Sequence, residues 1–310
     1  MTYPWLEPVA AEFSERLLGG RMAHAILLSG PAGLGKTGLA RDFLASLLCL
    51  EESWPACGAC RSCQLIGSGA HPEGHVLTFE QHPKKDELRK ELVVDQIRRL
   101  TASLQLTNTV SRRKAAIVYP AESLNASAAN ALLKTLEEPP GDAVIILVSH
   151  KPSQLPATVR SRCQSLNVRL PDAEAAIPWL MQAAGSERDD CAVALEAAAG
   201  SPLRALQLLG EDGIAPYRKL TEVLDGLRAE RYEPAAAMAS LADVDPELLW
   251  TWLSLRAAKE VRSNLDQAPL ARTLSRLQVE ADRNRRLLPT PVRKDLLLQD
   301  WLIQWARLHV

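Results

Sequence analysis

The 310-residue sequence lacks a surplus of either charge: 36 lysines and arginines face 37 aspartates and glutamates, for a net charge of −1. That balance argues against a chain built to coat a polyanion, although local basic patches remain open. Also lacking is any apolar run near the ~20 residues of a membrane span, and the opening Met1-Thr2-Tyr3-Pro4-Trp5 is no basic-then-apolar leader. The expectation is a soluble, cytoplasmic protein with no membrane partner. Cysteine is sparse, with six in the whole chain. In a reducing compartment such residues serve as ligands or buried apolar groups rather than disulfides. The length exceeds one ordinary domain, so two or three are expected.

What is present centres on one loop. Between the apolar run Ala25–Leu28 and a helical pattern lies Gly30-Pro31-Ala32-Gly33-Leu34-Gly35-Lys36-Thr37. It matches the phosphate-binding pattern G-x-x-x-x-G-K-[ST] at every fixed position, strand before and helix after. Gly30, Gly33 and Gly35 let backbone N–H groups turn toward phosphate oxygens, and the helix N-terminus adds its positive end. In that pattern Lys36 reaches the β/γ-phosphates and Thr37 offers a hydroxyl to Mg²⁺.

Around the loop, strand-like and helix-like segments alternate. Val9–Leu18 reads as an amphipathic helix, and another helix leaves the phosphate loop and runs to about Leu48. A short strand is expected at Val76–Phe79 and a helix at Val94–Leu104, with the charged stretch 81–91 as a solvated loop. The runs Ala115–Tyr119 and Val144–Val148 are short and β-branched, as buried parallel strands are. Between them Ser127–Glu138 reads as a helix closed by Pro139-Pro140. The alternation predicts an α/β nucleotide-binding domain to roughly residue 165. From Asp172 onward only helices are expected, with breaks at Pro234, Pro246, Pro269 and 289–291.

Cys49, Cys57, Cys60 and Cys63 fall within one loop. Four thiolates that leave no open coordination position describe structural zinc, with redox or plain reduced thiols as the alternative. His71 and His75 are nearby substitutes for which no vacancy exists. Cys163 and Cys191 stand alone as small apolar groups.

A working phosphate-loop ATPase also needs acids at the end of a neighbouring strand to hold Mg²⁺ and polarise water. Here the strand at 115–119 runs into Tyr119-Pro120, which do neither. Glu122 is displaced by two to three positions, several ångströms at about 3.3 Å per residue. The reading is a nucleotide site that cannot turn over.

The stretch Asn130–Pro140, NALLKTLEEPP, followed by Ser161-Arg162-Cys163, resembles the clamp-loader branch of the AAA+ superfamily. The cysteine insert narrows the resemblance to the bacterial DNA polymerase III loaders, and Tyr119-Pro120 sets the chain apart from their ATP-hydrolysing gamma/tau subunit. The motifs cover 24–165; beyond them only Gly200-Ser201-Pro202-Leu203-Arg204 is similar to the family's lid helix, with Arg204 one position off its second sensor. The resemblance implies an α/β AAA+ module, a RecA-like parallel sheet with the zinc insert at 49–63, over residues 1–165. A small helical lid would follow at 166–209 and an all-α collar at 210–310. It also implies gamma/tau and delta subunits as partners, with the sliding clamp and primed DNA reached through the assembly. The chain would belong to the polymerase holoenzyme without ATPase or polymerase activity of its own. Arg162 would be an arginine finger entering the ATP site of a neighbouring subunit, a role suited to a permanently charged planar fork. Because Lys36 and Thr37 are intact, ATP or ADP with Mg²⁺ remains a candidate structural ligand. The alternative is an autonomous ATPase of the gamma/tau type; a zinc-dependent nucleic-acid binder is a third reading that the near-neutral charge disfavours. Arg98, Arg99, Arg112, Arg113 and Lys114 are candidates for DNA contact or a solvated face.

Overall fold

Five parallel strands form one sheet in the order β5-β1-β4-β3-β2. The computed structural model describes residues 3–82, 85–210 and 213–308, so Lys84 of the expected 81–91 loop lies outside the described residues. The strands are β1 (Ala25–Ser29), β2 (Gly74–Leu77), β3 (Lys114–Val118), β4 (Ala143–Ser149) and β5 (Gln164–Asn167). β1, β3 and β4 are buried along their whole length, which is why they read as continuous apolar runs rather than alternating ones.

Their period of two divides the core. Ile26, Leu28, Ile117, Ile146 and Val148 pack on one face with α1 (Glu7–Leu18) and α2 (Lys36–Leu48). Leu27, Val118, Ile145 and Leu147 pack on the other with α4 (Val94–Gln105) and α5 (Ala126–Glu137). Helices α3 (Arg61–Gly67) and α6 (Ala157–Arg160) complete this part. Phe13 of α1 stacks on Phe43 of α2 with ring centroids 3.7 Å apart, and Trp54 meets both rings edge-on.

The chain divides into two compact units that meet in sequence at Pro171 and Asp172. The expected end of the α/β part near 165 falls inside β5, whose residues pair with β1 as far as Ser29↔Asn167. β5 carries one buried residue, Leu166, so it offers no apolar run to read. β2 begins two residues before its expected start and also sits at a sheet edge. The expected α/β architecture with a parallel sheet is met: β1 lies between β4 and β5 and delivers the phosphate loop at its C-terminal end, where ligands of open parallel sheets bind.

The second unit is helical, with no strand among its described residues. α7 (Ala173–Ala184), α8 (Arg188–Ala197) and α9 (Pro202–Gly210) share one apolar cluster around Leu180, Ala194 and Ala205. A second cluster is built by α10 (Ile214–Arg228), α11 (Pro234–Ser240), α12 (Pro246–Ser263), α13 (Ala268–Leu287) and α14 (Lys294–Ala306). The expected proline breaks open helices: Pro234 and Pro246 begin α11 and α12, and Pro269 is second in α13, positions where a missing N–H costs nothing. Trp252, Trp301 and Trp305 are fully buried, and each indole N–H donates to a backbone carbonyl, of Ala197, Leu277 and Leu224 respectively. That satisfies the one polar group each ring carries into the core.

Candidate nucleotide site and metal centre

β1 ends at Ser29 and α2 starts at Lys36, leaving six residues to make the phosphate loop. Gly30 has φ +143°, and a Cβ there would collide with the Val168 carbonyl oxygen just past β5. Gly35 caps α2 at φ +84°, and a Cβ there would collide with the Tyr3 ring. Both positions therefore demand glycine. Trp5 stacks parallel to Tyr3 with centroids 5.1 Å apart and donates from its indole N–H to the Leu34 carbonyl at 2.9 Å. The loop is thus braced from outside by two aromatic rings that no motif foretold.

Lys36 is 1% exposed, and its Nζ donates to the Pro31 carbonyl across the loop at 2.5 Å. The ammonium points into the ring of backbone rather than away from it, and Thr37 follows it, half-buried on the first turn. Backbone donors, a buried cation and a helix N-terminus converge, and this donor set fits nucleotide phosphate.

Tyr119 and Pro120 follow β3 directly, and neither is a carboxylate. Tyr119 Oη lies 3.1 Å from His150 Nε2, just after β4, and the two rings meet edge-on at 5.4 Å. Glu122, on the turn Ala121–Ser123, accepts the His150 backbone N–H at 3.1 Å through Oε1. Its carboxylate braces the ends of β3 and β4 against each other. Pairing across 31 residues leaves no spacing signal in the sequence.

The four cysteines of the insert do converge. Their sulfur atoms all lie within 4.8 Å of one another, with Cys57 and Cys63 3.9 Å apart. A tetrahedral ion with ~2.3 Å bonds to sulfur needs separations near 3.8 Å, so the donor set fits. Cys49 caps the C-terminus of α2 and Cys60 caps the N-terminus of α3. Backbone N–H groups of Cys57, Cys60 and Cys63 point at the sulfurs of Cys49, Cys57 and Cys60 at 3.4 to 3.5 Å. Burial opposes ionising Cys49, but the N–H groups of Cys57 and Glu51 and the neighbouring Cys57 and Ser53 side chains outweigh it and bring the thiol down to about 6. Burial and the thiols of Cys60 and Cys49 push Cys63 up to about 12.

His71 is no ligand. Its Nε2 lies 2.9 Å from Ser62 Oγ and 3.1 Å from Ser111 Oγ, while both hydroxyls donate to the Leu48 carbonyl. This buried network, unreadable from sequence because Ser111 lies 40 residues from His71, joins α3 of the cysteine insert to the segment that leads into β3. Its neighbour Glu73 is 2% exposed and accepts the N–H groups of Thr109, Val110 and Ser111.

Arg162 lies just beyond α6 and is held on the Glu137 carboxylate, with Nε 2.7 Å from Oε1. Arg204 is exposed on α9 in the second unit. Of the basic candidates for DNA contact, Arg98, Arg99 and Arg112 pair with Asp95, Glu80 and Glu52. Lys114 is buried and donates to the Leu104 and Leu106 carbonyls. Three of the five thus form surface ion pairs and a fourth is buried. Among the described residues no helix is long and apolar enough to cross a membrane.

The family model described as "DNA polymerase III, delta subunit" matches residues 5–172. The DNA polymerase III subunit delta' of Pseudomonas aeruginosa is 37% identical, over 97% of this chain and 89% of that protein. That of Escherichia coli is 35% identical over 72% of this chain and 65% of its own length. The Yersinia pestis subunit is 30% identical over 98% and 95% respectively. Among solved structures, a DNA polymerase III gamma subunit-related protein of Thermotoga maritima has a TM-score of 0.48 at 18% identity, covering 98% of this chain and 99% of that one. A family-model match over more than half of the chain, and a near full-length relative at this identity, lead to one conclusion: the chain belongs to the DNA polymerase III delta-prime (delta') subunit family.

Proposed function

We propose that this chain is a non-hydrolysing subunit of the DNA polymerase III clamp loader, assembling with gamma/tau and delta subunits to load the sliding clamp on primed DNA in the cytoplasm. The observation that carries the reading is the Tyr119–His150 hydrogen bond at the ends of β3 and β4. Tyr119 and Pro120 stand where a Mg²⁺-binding and a water-polarising carboxylate are expected, and Glu122 accepts the His150 amide. Family membership and the residual 30% identity to a gamma/tau subunit of Haemophilus influenzae, over 54% of this chain, support a place in the same assembly.

Within that assembly the intact phosphate loop binds ATP or ADP as a structural ligand. Lys36 exchanges the Pro31 carbonyl for a phosphate oxygen, and Thr37 offers its hydroxyl to Mg²⁺; Gly30, Gly33 and Gly35 keep the backbone donors turned inward. Cys49, Cys57, Cys60 and Cys63 hold a structural zinc, which cross-links the insert without taking part in chemistry. Arg162 leaves Glu137 to act as an arginine finger at the neighbouring subunit's ATP site. Helices 172–210 serve as the lid, with Arg204 at its second sensor position, and 213–308 as the collar that joins the other subunits. The test is phosphate release by the isolated chain. No release above background, with nucleotide bound, is expected; turnover near ~1 s⁻¹, the low end for working phosphoryl-transfer enzymes, would favour the autonomous ATPase of the gamma/tau type.

A further inference from the structure

A chain with net charge −1 nevertheless concentrates positive charge on one helix. α13 carries Arg272, Arg276, Arg283, Arg285 and Arg286 against Glu280 and Asp282, an excess of three. Asp282 is taken by Arg285 and Glu280 by Gln304. The other four arginines form no ion pair among the described residues. They are exposed, together with Val279 at 68%. The order Arg272, Arg276, Val279, Arg283, Arg286 advances by four, three, four and three residues, so these side chains lie in one line along the helix. The opposite line, Leu274, Leu277, Ala281 and Asn284, is buried in the unit's own core.

Two cavities of about 560 and 610 Å³ flank this line and share Ser275 and Arg276. Their apolar lining comes from Leu287 and Leu297 at one end and from Leu265, 70% exposed, at the other. Along α13 the groove can run for about 30 Å, the rise of twenty helical residues.

The geometry points to a docking groove on α13 for an acidic amphipathic helix of another protein. A continuous line of helical spacing accepts a helix laid alongside, its apolar residues entering the two cavities at i, i+3, i+4 and i+7. Glutamates flanking those anchors meet Arg272, Arg276, Arg283 and Arg286. A nucleic-acid strand is the poorer occupant, because the lining mixes aliphatic side chains with the arginines, includes the acid Glu280 and offers no aromatic ring for base stacking. The inference stands on this face alone and does not depend on the nucleotide or clamp-loader reading.

The test is fluorescence anisotropy with the full chain and three labelled 21-residue peptides: one with leucine at heptad spacing flanked by glutamate, a scrambled peptide of the same composition, and the leucine pattern flanked by lysine. The glutamate peptide should bind and the other two should not. The double variant R276E/R283E should weaken that binding about tenfold or more and gain affinity for the lysine peptide, with an unchanged circular dichroism spectrum. Val279→Asp should weaken the glutamate peptide while leaving surface arginines intact. Equal binding of the patterned and scrambled peptides would overturn the inference, as would an absence of binding. A single-stranded oligonucleotide whose affinity falls with R276E/R283E while the peptides do not bind would assign the face to nucleic acid. Loss of co-elution with gamma/tau and delta in that variant would make it a seam between subunits, and the separate-helix reading would fall.

Discussion

Arg162 places two donors on one oxygen of Glu137: Nε and Nη2 lie 2.7 and 2.5 Å from Oε1. Its third group, Nη1, donates to the Thr158 carbonyl at 2.9 Å. The pair remains solvent-accessible, with 36% and 48% of the two side chains exposed. Such pairs contribute roughly 0.2–1 kcal/mol, little enough for a phosphate to replace the carboxylate.

Arg162→Ala should leave folding and this chain's own nucleotide affinity within error of wild type. In a reconstituted loader one of several ATP sites loses its finger, an effect worth about 10³–10⁵ in rate at that site. Total ATPase should fall in part and clamp loading further, and Arg162→Lys should rescue little, lacking the planar fork. Complete assembly with both rates at wild-type level would make Arg162 an ordinary surface arginine.

One zinc per chain is expected in protein purified without added metal. Cys60→Ser should lower that content and loosen the insert, because Cys60 is both a sulfur donor and the N-cap of α3. Elemental analysis and thiol titration check this together. Four freely reactive thiols in a folded, metal-free protein would contradict it.

Nucleotide binding should depend on Lys36, since its ammonium is buried inside the loop. Isothermal titration should detect ATP or ADP with the wild-type chain and show a loss of at least about tenfold with Lys36→Ala. Tyr119→Asp, which restores an acid at the end of β3, should not create turnover alone, because His150 and Glu122 still occupy the neighbouring positions. Equal affinity of wild type and Lys36→Ala would place any nucleotide elsewhere.

Glu73 supplies a pH-dependent share of stability. Burial alone would raise its carboxyl, but the hydrogen bonds from Thr109, Ser111 and Val110 outweigh it and hold the group below the ordinary 4.5. A carboxyl depressed in the folded state contributes fully above the unfolded value and loses that contribution as pH falls through the folded one. Stability should therefore drop below pH 4.5, and Glu73→Gln should cost about 2 kcal/mol at pH 7, the scale of hydrogen bonds to a charged group. The variant should also show a shallower acid loss. Urea denaturation at pH 7 and pH 4 measures both quantities, and identical losses in the two proteins would remove Glu73 from the account.

The parts legible in the sequence were those written locally. The phosphate loop, α2 and the buried strands β1, β3 and β4 are each a contiguous run whose residue types fix its conformation. β5 was not legible, because Gln164-Ser165-Leu166-Asn167 reads as polar and earns its place only by pairing with β1. α3 hid among cysteines and glycines, and its first turn depends on Cys60 accepting the Cys63 N–H. The cysteine cluster was visible because four like residues fell within one loop. The Ser62–His71–Ser111 network and the Tyr119–His150 pair were not, since they join residues brought together by the sheet alone.

The most direct test of the account is gel filtration of the purified chain mixed with gamma/tau and delta subunits, followed by clamp loading on primed DNA with the recovered complex. The account predicts a single complex containing this chain, active in loading, with no activity when the chain is omitted. A chain that elutes by itself while gamma/tau and delta load the clamp without it would contradict the central claim.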